Sequence, residues 1–207
     1  MSFFEPPPPR EPLVVRREPE WLGPPDNVLP YPFPLSLILA REARVAVQLH
    51  SGRAYRNGFE FALTLRRREE RLGIGGNPFQ AWHDVQDTGV IPEEALRLGV
   101  EFSDGAKATV FDGYRFFATE ERPTGPVLIQ RGGSGGMRTW ELGFWVWPLP
   151  PAGTLAFVAE WPSEQVALTR VEIDANLIRE AAAKAEELWP DDNGSPRSGQ
   201  VSVHRVG

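Results

Sequence analysis

Few side chains in this sequence have the chemistry of a catalytic or metal centre, so their spacing decides how they are read. The three histidines, His50, His83 and His204, stand far apart, none at metal-ligand spacing from another, and the chain has no cysteine. Metal sites draw on clustered imidazole, thiolate and carboxylate ligands, so no metal and no other cofactor is expected. His83 and Asp84, with Asp87 just beyond, could hold a general base. In a polar loop such groups are more often merely solvated, and no catalytic residue is assigned. Tryptophan is the other signal, with seven in 207 residues. Trp82, Trp145 and Trp147 offer flat faces for a sugar, a proline or a partner side chain, or else plain core volume.

The stretch QRGGSGGMRTWELGFWVWPLPPAG tests a second kind of chemistry. A phosphate cradle needs a strand, a glycine loop, a Lys followed by Ser or Thr, and a helix whose N-terminus holds the anion. Here the glycines lead into alternation instead. Trp140, Leu142, Phe144 and Val146 share one face, while Thr139, Glu141, Gly143, Trp145 and Trp147 share the other. The stretch therefore predicts a β-hairpin with a flexible glycine loop, Trp140 facing inward and Trp145 and Trp147 facing either solvent or a covering segment. No nucleophile-elbow, zincin, P-loop or dinucleotide fingerprint occurs.

Period-two alternation is also what positions everything else. GFEFALTLR, RVAVQLH, PLSLILA and LRLGVEF each read as a strand with one buried face. Asp104-Gly105 before KATVF predicts a two-residue hairpin turn, and Asn57-Gly58 a second turn. TLAFVAEW and ALTRVEI supply two further strands, as Trp161 and its alternating neighbours indicate. After Asp174, a good N-cap, ANLIREAAAKAEELW carries apolar residues at helical spacing. Eight or nine short strands followed by one helix indicate a mainly β protein, an immunoglobulin-like β-sandwich. Residues 68–95 show little periodicity and read as a long loop.

The flanks differ from the middle. Residues 1–33 are rich in proline, which predicts an extended arm. Pro7 and Pro8, in PPPPREP, fit an aromatic docking groove, or else the arm lies along its own domain, anchored by Phe3, Phe4, Trp21 and Leu22. The sandwich domain is expected over residues 34–189, with its helix at 174–189, and residues 190–207 read as a disordered tail. A net charge of -6 argues against nucleic acid or an anionic membrane as partner. With no apolar run near the length of a membrane span, no secretory-type start and no cysteine, the chain is expected in the cytoplasm.

The segments FFEPPPP, WLGPPDNVLP, GFEFALTLR, FSDGAKAT, WVWPLPPAG, EWP and LIREAAAKAEELW, in that order, resemble an uncharacterised family of actinobacterial hypothetical proteins. The resemblance covers the chain up to Trp189 and carries over no activity and no functional residue. Two functional classes remain. The first is a non-enzymatic binding or scaffolding module that engages a protein partner or forms a homo-oligomer. The second is a carbohydrate-binding or hydrolase-like sandwich with Trp82, Trp145 or Trp147 as platforms and Asp84 or Asp87 as polar groups.

Overall fold

The computed structural model describes residues 18–69, 79, 82, 85, 88–118 and 121–189. Pro7, Pro8, His83, Asp84, Asp87 and the expected tail at 190–207 lie outside the described residues.

The alternating segments form the strands their period requires. One antiparallel sheet has five strands: β2 (Tyr31–Arg41), β3 (Val45–Ala54), β4 (Phe59–Arg67), β8 (Thr139–Trp147) and β7 (Val127–Gly135), in that spatial order. A second has four: β10 (Val166–Asp174), β9 (Thr154–Trp161), β5 (Arg97–Glu101) and β6 (Lys107–Thr109). Alternation puts Phe59, Phe61, Leu63 and Leu65 of β4 on the inward face, in register with Val146, Phe144, Leu142 and Trp140 of β8. Phe61 stacks on Phe144 at 5.2 Å and meets Phe157 of β9 edge-on at 5.1 Å, so the two sheets share one apolar layer. Pro32 and Pro34 sit in β2, an edge strand, where a missing backbone N–H does least harm.

The strand tally exceeds the sequence reading because two short strands, β1 (Val28–Leu29) and β11 (Glu186–Glu187), pair as a separate ribbon. Their existence shortens the expected helix. Residues 174–189 do not run as one helix: α1 covers Asn176–Ala182 alone, and Asp174 ends β10 opposite Thr154. The N-cap position falls on Ala175, which has no capping side chain, rather than on Asp174, although the Asp174 carboxylate accepts the Asn176 N–H at 2.9 Å. Beyond the helix, Leu188 donates its N–H to Asn27 O at 2.8 Å, so strand pairing claims the backbone there.

The glycine stretch also departs from its reading as a loose loop. Gly133, Ser134 and Gly135 pair with Leu142, Glu141 and Trp140, after a bulge between Gln130 and Gly133 where Gly132 takes φ +112°. A methyl group at Gly135 would collide with the Trp140 ring, so this glycine is where an aromatic lies flat on backbone. The turn itself is short, closed by Gly136 N–H to Thr139 O at 2.9 Å. The Asp104-Gly105 turn likewise has three residues rather than two. Phe102 and Ala106 close it, with Gly105 left-handed at φ +85°.

One ion pair pins an end of the two layers. Arg67, last in β4, meets Glu164 in the 3-10 turn Pro162–Glu164 at 3.1 Å. Its guanidinium lies 5.4 Å from the Trp140 ring centre and 5.2 Å from that of Trp161. Trp82, in the expected loop region 68–95, is helical together with Val85 and Thr88 and belongs to the core. Its indole N–H donates to Leu96 O at 2.6 Å, and its ring packs on Phe79 and Phe144.

Candidate functional site

The outer face of the five-stranded sheet divides into a covered apolar half and an open polar half. The covered half is built by Val127 and Ile129 of β7, opposite Trp147 and Trp145 of β8. Trp21 and Leu22 from the proline-rich arm close over it, with Val28 and Phe116. Trp21 meets Trp147 edge-on at 6.3 Å, and Tyr55 meets Trp145 at 5.5 Å. Ion pairs hold the arm down: Arg122 to Glu20 at 2.8 Å, with Arg122 also over the Trp147 ring, and Arg131 to Glu18 at 3.0 Å. Arg131 donates as well to Leu22 O.

The tryptophans named as candidate binding residues are thus all inside. Trp145 and Trp147 lie beneath the arm and Trp82 lies in the main core, so none presents a ring to solvent in this fold. The indole N–H groups of Trp21 and Trp145 are buried with no hydrogen-bond partner among the described residues, an uncommon cost for a sealed cluster.

The open half carries polar groups at closer quarters. His50, Ala62 and Gly143 form one cross-strand row, bordered by Glu60 and Trp145 on one side and Thr64 and Glu141 on the other. A side chain at Gly143 would meet nothing within 4 Å, so the row is a shallow trough with His50 at its β3 end. His50 Nδ1 lies 2.8 Å from Ser51 Oγ, and Nε2 lies 2.7 Å from Oγ1 of Thr64, a buried hydroxyl. In a regular strand neighbouring side chains point to opposite faces. Here Ser51 is left-handed at φ 57°, and the register of β3 slips against β4 between His50 and Arg53, which brings the serine to the histidine's side.

Beside this row, Tyr55 donates its hydroxyl to Glu60 at 2.9 Å, and Arg53 pairs with the same carboxylate at 2.8 Å. Burial, reinforced by the Glu60 charge and that hydrogen bond, pushes the Tyr55 phenol well above its ordinary pKa. The outer face of the other sheet is a solvated charge ladder, Lys107 to Glu101 to Arg170 to Glu172. Partial burial works against it, but hydrogen bonds from Lys107 and Arg170 hold the Glu101 carboxyl below its usual range.

A third feature lies at the β1–β11 ribbon. Leu29, Leu188 and Trp189 are each about half exposed, Tyr31 follows closely, and Lys184 sits 5.1 Å over the Tyr31 ring. The sequence placed Leu188 and Trp189 at helical spacing within the expected helix at 174–189, so this surface was not anticipated. The His50 cluster was missed because the histidines were judged by spacing in the chain, not by register. Its one trace is HSG, where a glycine ends clean alternation.

Among the described residues no group of three or more histidine, aspartate or glutamate side chains is placed to hold a metal ion, and no helix is long and apolar enough to cross a membrane. Comparison of the chain with protein-family models, with curated proteins and with solved structures gives no match.

Proposed function

We propose that this mainly β protein is a binding module, working in the cytoplasm, that engages a protein partner through the β1–β11 ribbon. The observation that carries this reading is that Leu29, Tyr31, Leu188 and Trp189, in or next to the paired segments of β1 and β11, keep their side chains in water. Exposed apolar residues scattered singly are ordinary, whereas a contiguous group marks an interaction surface. An aromatic anchor with an adjacent cation, here Tyr31 with Lys184, is what protein interfaces favour. The sheet-on-sheet framework is of the kind immunoglobulin-like domains use to present such surfaces, and the partner is another protein or a second copy of this chain. The carbohydrate-binding alternative has less to stand on, since Trp82, Trp145 and Trp147 would each have to leave a packed cluster to stack on a sugar.

The test pairs a binding readout with a folding control. Leu29→Ser with Leu188→Ser should leave the melting temperature nearly unchanged and abolish both self-association in sedimentation and capture of any partner identified with the native chain. Binding that survives both changes would move the interface elsewhere.

A further inference from the structure

We propose that Ser51 is a nucleophile activated by His50, forming an acyl-transfer site at the β3 bulge that accepts esters of small, unhindered acids. This goes beyond the binding reading and does not depend on it.

The backbone supplies the first argument. Ser51 holds a left-handed φ of 57°, a conformation that glycine or asparagine bears far more easily than serine. The adjacent glycine does not explain it, because Gly52 is needed for space: its Cβ would come within 2.5 Å of the Phe33 ring. The chain therefore keeps a side chain at the one position of the bulge where its backbone disfavours one. Strain retained at an accessible polar residue points to a use for that residue.

The second argument is the hydroxyl's surroundings. With the imidazole proton on Nε2 and donated to Thr64 Oγ1 at 2.7 Å, Nδ1 is left as the acceptor for the Ser51 hydroxyl at 2.8 Å. Thr64 is only 4% exposed, so it is a fixed point that orients the ring, while Ser51 stands in solvent. Nucleophile, base and orienting group within hydrogen-bond reach of one another is the arrangement that activates a serine. Access follows from Ala62 and Gly143, which keep the row beside His50 low, and exposed Ile38 gives the trough an apolar neighbour.

In the reaction, Ser51 Oγ bonds to the ester carbonyl carbon while its proton passes to His50 Nδ1. The bond from that carbon to the alkoxy oxygen then breaks, and His50 returns the proton to the departing alcohol. Water repeats the sequence on the acyl-serine, releasing the acid and restoring the Ser51 hydroxyl.

A fluorophosphonate reports the first half of this chemistry. Ser51 Oγ bonds to phosphorus, the phosphorus–fluorine bond breaks, fluoride leaves and His50 takes the proton. Peptide mass spectrometry of the full chain should place the adduct on Ser51. His50→Gln should slow labelling by about 100-fold or more, the usual contribution of a positioned base. Thr64→Val should slow it and Thr64→Ser restore it, a rescue that a purely structural threonine would not show in the labelling rate. Ser51→Gly should be unlabelled and melt higher than the native chain, because relieving the strain costs the fold nothing. No adduct at Ser51 in the folded protein, or a rate indifferent to His50→Gln, overturns the proposal. So does a lower melting temperature for Ser51→Gly, which would make the hydroxyl a brace of the bulge.

Discussion

Arg67 and Glu164 meet at 3.1 Å with their side chains only 5% and 3% exposed, one from the end of β4 and the other from the turn that follows β9. Each of these two charges withdrawn from water offsets part of the other's desolvation cost. Glu164→Ala is therefore expected to destabilise the fold by about 3–5 kcal/mol in denaturant unfolding. Replacing both partners, Arg67→Met with Glu164→Leu, should recover most of that loss.

Two neighbouring glycines should respond oppositely to alanine. A methyl at Gly135 has the Trp140 ring in its way, whereas one at Gly136 meets nothing within 4 Å. Overpacking of this kind costs about 1–3 kcal/mol, so Gly135→Ala should lower the unfolding midpoint visibly and Gly136→Ala should not.

Trp147 is held between Arg122, 5.1 Å away, and Trp21, 6.3 Å away, which makes it a fastening point for the arm. Trp147→Ala should cost about 3–5 kcal/mol, the range for truncating a large buried ring. Trp21→Ala should also expose the arm, read as faster protease cleavage near residues 18–25 while the core between the two large sheets stays resistant.

Tyr55 makes stability depend on alkaline pH. Its folded-state pKa is raised, first by burial and then by Glu60, so the stabilising difference is fully present below the ordinary phenol pKa. Above about pH 10 the unfolded chain gains by ionising and the folded chain does not, so stability should fall as pH rises further. Unfolding free energies measured from pH 8 to 11 should show this slope in the native chain and a weaker one in Tyr55→Phe.

What the sequence disclosed was the set of elements that report their own period. Phe59, Phe61, Leu63 and Leu65 announce β4 because each side chain reads out which face it is on. Gly133 and Gly135 have no side chain to report, and their strand is dictated by Leu142 and Trp140 across the ladder. The helical spacing of LIREAAAKAEELW is real, yet it loses at Leu188 to a hydrogen bond with Asn27, a competitor invisible to any local window. For Trp145 and Trp147 the face was read correctly, but the choice between solvent and cover depended on Trp21, more than a hundred residues earlier. The pairing of His50, Ser51 and Thr64 needed both a register and one unusual backbone angle, and neither has a residue code. His83 and Asp84, the polar pair weighed in the sequence as a general base, lie outside the described residues.

The ribbon of β1 and β11 also bears on how the protein is made. Asn27 Nδ2 donates to Trp189 O at 3.0 Å across 162 positions of sequence, and Val28 has no strand partner until Glu187 arrives. Synthesis runs from the N-terminus, so residues 27–29 leave the ribosome long before the residues that pair with them. Both large sheets can close by then, since their strands end at Asp174. A polypeptide released prematurely between Asp174 and Glu186 would thus leave Val28 and Leu29 unpaired beside two formed sheets, and one released before Ile178 would also lack the helix side chains that complete the shared core.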